Sequence, residues 1–405
     1  MGARLSHIRC RAYGFYKRNT GPLFFIAISA AALALRCSLM FNESGDYGYF
    51  LFPWIQEMRS DGGLASLGRA VGDYYIPYTF ILTLFSLLPV SPLISIKLFS
   101  IMFDFILAVG CVRVVCHLVD GQKRKHAYAK LVFSTVLLLP TVVLNSAAWG
   151  QCDSIYTSFI IFSIYALMRK KHSLGFFHFA LALCFKLQAV FFFPVFILIY
   201  LSGRRYSLAN FLIIPAVLLT AALPAVFAGR PVMDILRIYV DQTSTYSSLV
   251  KNYSNIYQFL PNRYKLFTVV GISFTFALLG AFALYAMRRK HAITGKVLLG
   301  LGLWSVYTCV MFLPSMHERY AYVADIVSVL YFAVTRKKII IPIFINYVSL
   351  MSYFPFLFEF HALDFRMLVA LNLAVYAYFT ADLIKHLESS RKSAQKPAAA
   401  IEETL

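Results

Sequence analysis

Asn145-Ser146-Ala147-Ala148-Trp149-Gly150-Gln151-Cys152-Asp153 runs into the apolar stretch 154–168 and stops at Arg169-Lys170-Lys171. One membrane crossing is written there: a polar and aromatic mouth, an apolar run, and a basic stop. The alternation recurs along the chain. Basic clusters stand at Lys123-Arg124-Lys125, Arg204-Arg205, Arg288-Arg289-Lys290 and Arg336-Lys337-Lys338. The other punctuation is acidic, aromatic or mixed, as in Gly45-Asp46-Tyr47 and Met316-His317-Glu318-Arg319-Tyr320. Lys and Arg favour cytoplasmic loops. The alternation therefore fixes a topology and gathers the reactive residues on the face away from the cytoplasm.

Composition agrees. The 405 residues are 60% hydrophobic and 14% charged, with a mean hydropathy of +0.69, whereas soluble domains carry about 25% charged residues. The net charge of +20 does not point to nucleic acid, because that partner needs a solvated basic surface. Here the cations sit in short loops between spans. Seven cysteines show no CxxC or CxxH spacing, and Cys37, Cys111, Cys184 and Cys309 lie within apolar segments. They read as small buried hydrophobes and leave the redox compartment open.

A helix needs about 20 apolar residues to cross the hydrocarbon core. Candidate spans are 20–41, 92–118, 127–146, 153–169, 172–185, 188–202, 207–228, 265–287, 295–314, 320–335, 338–357 and 364–386. With Arg4, Arg9, Arg11, Lys17 and Arg18 inside, every basic cluster falls inside as well. The run from Pro22 to Met40 reads as a retained first span rather than a cleaved signal. Residues 76–91 are apolar, but a crossing there would export Lys123-Arg124-Lys125. They read as a non-crossing or hairpin element on the outer side, after an amphipathic stretch from Tyr49 to Ala70. The 172–202 stretch must break near Lys186, or Arg204-Arg205 would be exported. The expectation is an all-α polytopic membrane protein of about twelve transmembrane helices. It forms one integral-membrane domain over 1–388, with outer loops 42–91 and 229–264. The polar, Ala-rich tail 389–405 reads as disordered and cytoplasmic.

Few residues in so apolar a chain can carry chemistry. Asp46 lies just beyond the first span and reads either as a solvated interfacial acid or as a base for an acceptor hydroxyl. Asp153 opens a span, where an acid offsets the helix dipole; with Asn145, Trp149 and Gln151 it also offers hydrogen bonds and a stacking face suited to a sugar. Lys186 and Gln188 interrupt an apolar run on the outer side, against the orientation bias, and a phosphate is the natural partner of such a lysine. His317, Glu318 and Arg319 stand in a row at an outer mouth, costly unless paired or liganded. Arg319 fits a lipid-linked phosphate with its fixed fork, His317 could add a hydrogen bond or a proton, and Asp325 could pair with one of the three. Asn255 and Tyr257 belong to a polar, aromatic patch in the second outer loop that suits carbohydrate or any wet interface equally. No His/Cys/Asp cluster has metal-site spacing, and no phosphate-cradling glycine loop occurs.

These blocks together resemble the bacterial relatives of the second mannosyltransferase of the GPI-anchor pathway, in the glycosyltransferase C (GT-C) superfamily. The residues that carry the resemblance are Gly45-Asp46-Tyr47 with Pro53-Trp54, Ile76-Pro77-Tyr78, Ile96-Lys97-Leu98 with Phe103-Asp104, Trp149-Gly150-Gln151-Cys152-Asp153, Phe185-Lys186-Leu187-Gln188-Ala189, Asn255-Ile256-Tyr257 and Met316-His317-Glu318-Arg319-Tyr320. The resemblance implies a GT-C-like fold whose first outer loop carries amphipathic helices. It implies an inverting transferase with a polyprenyl-phosphate sugar as donor, a glycolipid or glycan as acceptor, and membrane lipids around it. Asp46 takes the place of the base. Lys186, Gln188, His317 and Arg319 take the donor phosphate, and Tyr47, Trp149, Gln151, Asp153, Asn255, Tyr257, Glu318 and Tyr320 the rest of the substrate. No cofactor is required by this chemistry; a divalent cation on the phosphate is left open. Many members of that superfamily carry paired acids in the first loop, whereas Asp46 stands between Gly45 and Tyr47, with Glu43 nearby but not adjacent.

Two other classes compete. A transporter or flippase of lipid-linked sugars would place ionisable residues near the midplane and show internal repeats; Arg36, Lys97 and Asp104 fit the first condition, but no repeat is visible. A non-catalytic subunit of a transferase complex would not need all the polar blocks at once. Mannose is the sugar the resemblance suggests. Short loops without an appended domain point to a bacterial cytoplasmic membrane, with both termini cytoplasmic and the active site outside; the endoplasmic reticulum is the alternative. The acceptor and the oligomeric state are not written in the sequence.

Overall fold

A computed structural model describes residues 21–203, 205–242, 247–289, 293–360 and 362–402. The chain opens with α1 (Gly21–Cys37), a π-helical turn (Tyr47–Leu51), α2 (Phe52–Ser60), a 3-10 turn (Gly63–Gly68) and α3 (Ile76–Ser86). Next come α4 (Pro92–Leu118), α5 (Gln122–Leu138), and α6 (Pro140–Val143) with a second π-helical turn, Leu144–Trp149. Then follow α7 (Asp153–Met168), α8 (His172–Phe185), a 3-10 turn (Leu187–Phe192), α9 (Phe193–Leu201), α10 (Ile213–Phe227) and α11 (Val232–Asp241). A short strand β1 (Val250–Lys251) precedes α12 (Tyr264–Arg289) and α13 (Gly295–Phe312). The chain ends with β2 (Met316–His317), α14 (Tyr322–Thr335), α15 (Ile340–Leu357) and α16 (Phe365–Glu402).

Every predicted span falls on helix. Among the described residues six helical segments are long and apolar enough to cross a membrane, or seven if the bent pair Gln122–Leu138 and Pro140–Trp149 counts as one. The remaining predicted spans are helices of 10–17 residues. The bend of 49° has a local cause: Pro140 has no amide proton and forces Leu139 into an extended conformation. The break predicted near Lys186 is present, since α8 stops at Phe185 and Lys186 is extended at φ −156°. Residues 76–86 form a helix about 16 Å long, too short to cross. It leans instead on the 63–68 turn, on α2 and on α10. The last helix runs to Glu402 and so covers most of the predicted tail 389–405. The predicted anchors at 1–20, Arg204 and Lys290, and the final residues 403–405, lie outside the described residues.

Helices between lipid tails gain nothing from hydrophobicity alone and associate by close packing and hydrogen bonding. The packing centres on α13, 89% buried along its apolar window, while α12 and the 208–227 segment are only 17% buried and form the rim. Gly302 shows the closeness: a Cβ there would sit 2.8 Å from the Phe192 ring. Arg36, fully buried in α1, donates from Nε to Asp104 Oδ2 of α4 at 2.9 Å and from Nη1 to Leu137 O at 2.9 Å. Ser146 adds a 2.5 Å bond to the same Asp104 oxygen. Lys97 donates to the carbonyls of Leu39 at 3.0 Å and Asn42 at 2.5 Å. The three ionisable residues that fitted a transport path are thus occupied in tying α1 and its following loop to α4.

Candidate functional site

Lys97 fixes the start of the first loop, and a few residues later that loop delivers Asp46. Ser44 bridges it to the 145–153 turn, accepting from Tyr47 N at 3.2 Å and donating to Trp149 O at 2.8 Å. On that turn Gly150 is left-handed at φ 78°. The reversal, which a side chain would resist, lets Trp149 and Gln151 point the same way. Both reach Asp46: Trp149 Nε1 donates to Oδ2 at 2.8 Å and Gln151 Nε2 at 2.6 Å.

Arg319 completes the knot. Its Nη2 donates to the same Asp46 Oδ2 at 3.1 Å, and its Nη1 to Gln151 Oε1 at 2.7 Å. All three donors choose Oδ2. Among the described residues Asp46 Oδ1 receives none of them. Arg319 also lies 5.3 Å from the Trp149 ring centre. The indole stacks on Phe356 at 4.5 Å and is fully buried, so its predicted stacking face for a sugar is taken by the protein; what the indole contributes here is its N–H.

A second ion pair extends the knot inward. Lys186 pairs with Asp153 Oδ1, and Asn145 Nδ2 donates to Asp153 Oδ2 at 2.8 Å. Arg319 Nη1 stands 4.0 Å from that same Oδ2. Glu318 Oε1 flanks Arg319 Nε at 4.0 Å. Burial pushes the Glu318 carboxyl up to about 7, against the pull of Arg319. His317 moves the other way, down to about 3, first through burial and then through Arg319, Lys251 and Lys186. That shift favours the neutral imidazole, which carries one ring N–H to donate.

Lys186, Gln188, His317, Arg319 and Tyr320 line one cavity of about 110 Å³, with Asp73 and Tyr74 opposite. The buried side-chain oxygen of Gln188 has no hydrogen-bond partner among the described residues. A second cavity of about 280 Å³ shares Leu187, Gln188, Gln242 and Tyr320 with the first and continues along Val190, Phe191, Thr268 and Ile272 beside α12, mostly apolar. Other predicted residues lie elsewhere. Asn255 Nδ2 donates to Val310 O at 3.3 Å and Tyr257 OH to Phe312 O at 2.7 Å; both are buried and clamp the second loop to the end of α13. Tyr47 packs with Leu51 and Ile55 under the first loop. Asp325, fully buried, forms no ion pair with the cluster among the described residues.

Sequence reasoning missed Asp73, Tyr74 and Gln242. A signal was present, because Gly72-Asp73-Tyr74 repeats Gly45-Asp46-Tyr47. Asp73 is exposed and feels the charges of Arg319 and Asp46. Tyr74 OH approaches Gln151 Oε1 at 3.4 Å, and Gln242 donates to Asp73 O at 2.5 Å. Residues 74–319 match the family model described as Glycosyltransferase family 87. No curated protein matches the chain.

Proposed function

Because the chain belongs to glycosyltransferase family 87, we propose that it is an inverting, polyprenyl-phosphate-dependent sugar transferase with Asp46 as base. The observation that carries this reading is the asymmetry of that carboxylate. Oδ2 is held by Trp149, Gln151 and Arg319, and Oδ1 is left for an acceptor hydroxyl. A base needs one held end and one working end. In a single displacement Oδ1 takes the hydroxyl proton while the acceptor oxygen attacks the anomeric carbon. The bond from that carbon to the phosphate oxygen breaks, and the polyprenyl phosphate leaves with the electron pair. Lys186 and Arg319 neutralise the departing charge, Gln188 and the neutral His317 add hydrogen bonds, and Tyr320 borders the sugar.

Arg319 cannot serve Asp46 and a phosphate equally. Its movement to the donor frees Asp46 from one of three donors, so the donor binds first. The apolar cavity beside α12 suits the prenyl chain, which would slide in sideways from the bilayer. The predicted kinship with the bacterial relatives of the GPI-pathway second mannosyltransferase, the GT-C-like fold with all twelve apolar spans crossing, cytoplasmic termini, a site on the outer face of a bacterial cytoplasmic membrane, mannose as the sugar and a glycolipid or glycan as acceptor belong to the same proposal. They rest on the blocks quoted above.

The direct test is transfer from a panel of radiolabelled polyprenyl-phosphate sugars to membrane extracts by the purified chain. One donor is expected to be used, and it names the sugar. Donor binding without transfer from any member would sink the enzyme reading and favour a flippase or an accessory subunit.

Glu318 gives a pH signature. Its carboxyl, near 7, is neutral below that pH and anionic above it, and as an anion beside Arg319 it competes with the donor phosphate. The donor KM is expected to rise several-fold as pH passes upward through about 7. In Glu318→Gln that rise is expected to vanish; a profile identical to wild type would exclude Glu318 as its cause.

A further inference from the structure

A third cavity, about 490 Å³, adjoins the phosphate-sized one through Asp73 and Gln242, which line both. Its lining is charged, including Arg69, Arg230, Asp234 and Arg237. Two of these arginines are compensated: Arg69 by Asp61 and Glu57, and Arg237 by Asp234 at 3.7 Å. Arg230 is different. It sits in the turn between α10 and α11, 7% exposed, and its guanidinium makes no hydrogen bond or ion pair among the described residues. Burial lowers its pKa from the ordinary arginine value, and only the more distant field of Asp234 opposes that. None of its nitrogens is among the water-excluded unpartnered atoms, so the guanidinium keeps its reach into the cavity, and its fork matches the oxygens of a phosphate. The rest of the lining calls for a different group, since the Asp73 carboxyl and the Gln242 amide are suited to hydroxyls.

We propose that this cavity is the acceptor subsite and takes a polyhydroxylated headgroup bearing an anionic phosphate, with the phosphate on Arg230 and the hydroxyls toward Asp73 and Gln242. The inference rests on the transferase reading. It divides the substrates by chemistry: the prenyl donor along the apolar cavity, the acceptor through the charged one, both adjoining the small cavity lined by Arg319, whose guanidinium pairs with Asp46.

The test is equilibrium binding to the full chain in lipid nanodiscs. Glycerol 3-phosphate, glycerol and inorganic phosphate are compared on wild type, Arg230→Gln, Arg230→Lys and Arg319→Gln, each checked for folding by thermal unfolding. Glycerol 3-phosphate is expected to bind wild type and Arg319→Gln alike and to weaken about tenfold or more in Arg230→Gln. Arg230→Lys should fall between and carries the test if the Gln variant does not fold. Unchanged binding in both Arg230 variants, or loss in Arg319→Gln instead, overturns the assignment. Inorganic phosphate binding as tightly as glycerol 3-phosphate also overturns it, because the site then holds a free anion rather than a headgroup. No turnover enters this assay, so its failure leaves the transferase reading intact. Failure of the donor panel, in turn, leaves the binding result standing.

Discussion

Asp46→Asn is expected to lower sugar transfer by about 10²–10⁴-fold while donor binding stays close to wild type. The geometry makes the substitution clean. Trp149, Gln151 and Arg319 all donate to one oxygen, so the Asn carbonyl can take that place and keep the knot tied. The amide then presents N–H groups to the acceptor, where Oδ1 had been ready to receive a proton. Single-turnover transfer beside donor binding measures the two effects separately. Transfer at the wild-type rate would remove Asp46 as the base and move attention to Asp73, which feels its charge.

Asp104→Ala is expected to destabilise the protein by about 3–5 kcal/mol, read as a large drop in thermal unfolding temperature in detergent. The side chains of Arg36 and Asp104 are 1% and 0% exposed, and Arg36 Nη2 has no partner among the described residues. Removing the acid strands a guanidinium between α1 and α4, where no water reaches it. An unchanged unfolding temperature with loss of lipid-linked sugar movement would reverse the reading of that pair and restore the transport hypothesis.

Helix positions were legible because the chain has so few charges that each one punctuates it. The break at Lys186 followed from topology alone, and the extended backbone there supplies its mechanical cause. Asp46, Gln151, Lys186 and Arg319 stood out because ionisable or amide groups among apolar residues must be satisfied. The same logic failed in the loops. Asp73 lies in a polar stretch where an acid attracts no notice, and only the repeated Gly-Asp-Tyr betrayed it. Asn255 and Tyr257 have the composition of a sugar-binding patch, yet composition cannot tell a hydrogen bond to a ligand from one to a backbone carbonyl. Trp149 was correctly placed at the cluster, but Phe356, some 200 positions later, decides that its face is closed. Such contacts are set by the register of α15 against the 144–149 turn, which no local pattern encodes.

The row Asp46, Arg319, Asp153, Lys186 alternates in sign. On the proposed reading the donor is a rare lipid in a bilayer of common ones, nearly all of them also carrying phosphate. A site with bare cations would be silted up by its own solvent. Here each cation already has a tenant, and eviction requires a rival that grips more than the charge. A headgroup alone exchanges one anion for another and gains little. A lipid that also threads its chain into the apolar cavity and its sugar toward Asp46 brings the surplus, so the resting ion pairs act as a filter against the membrane in which the protein lives.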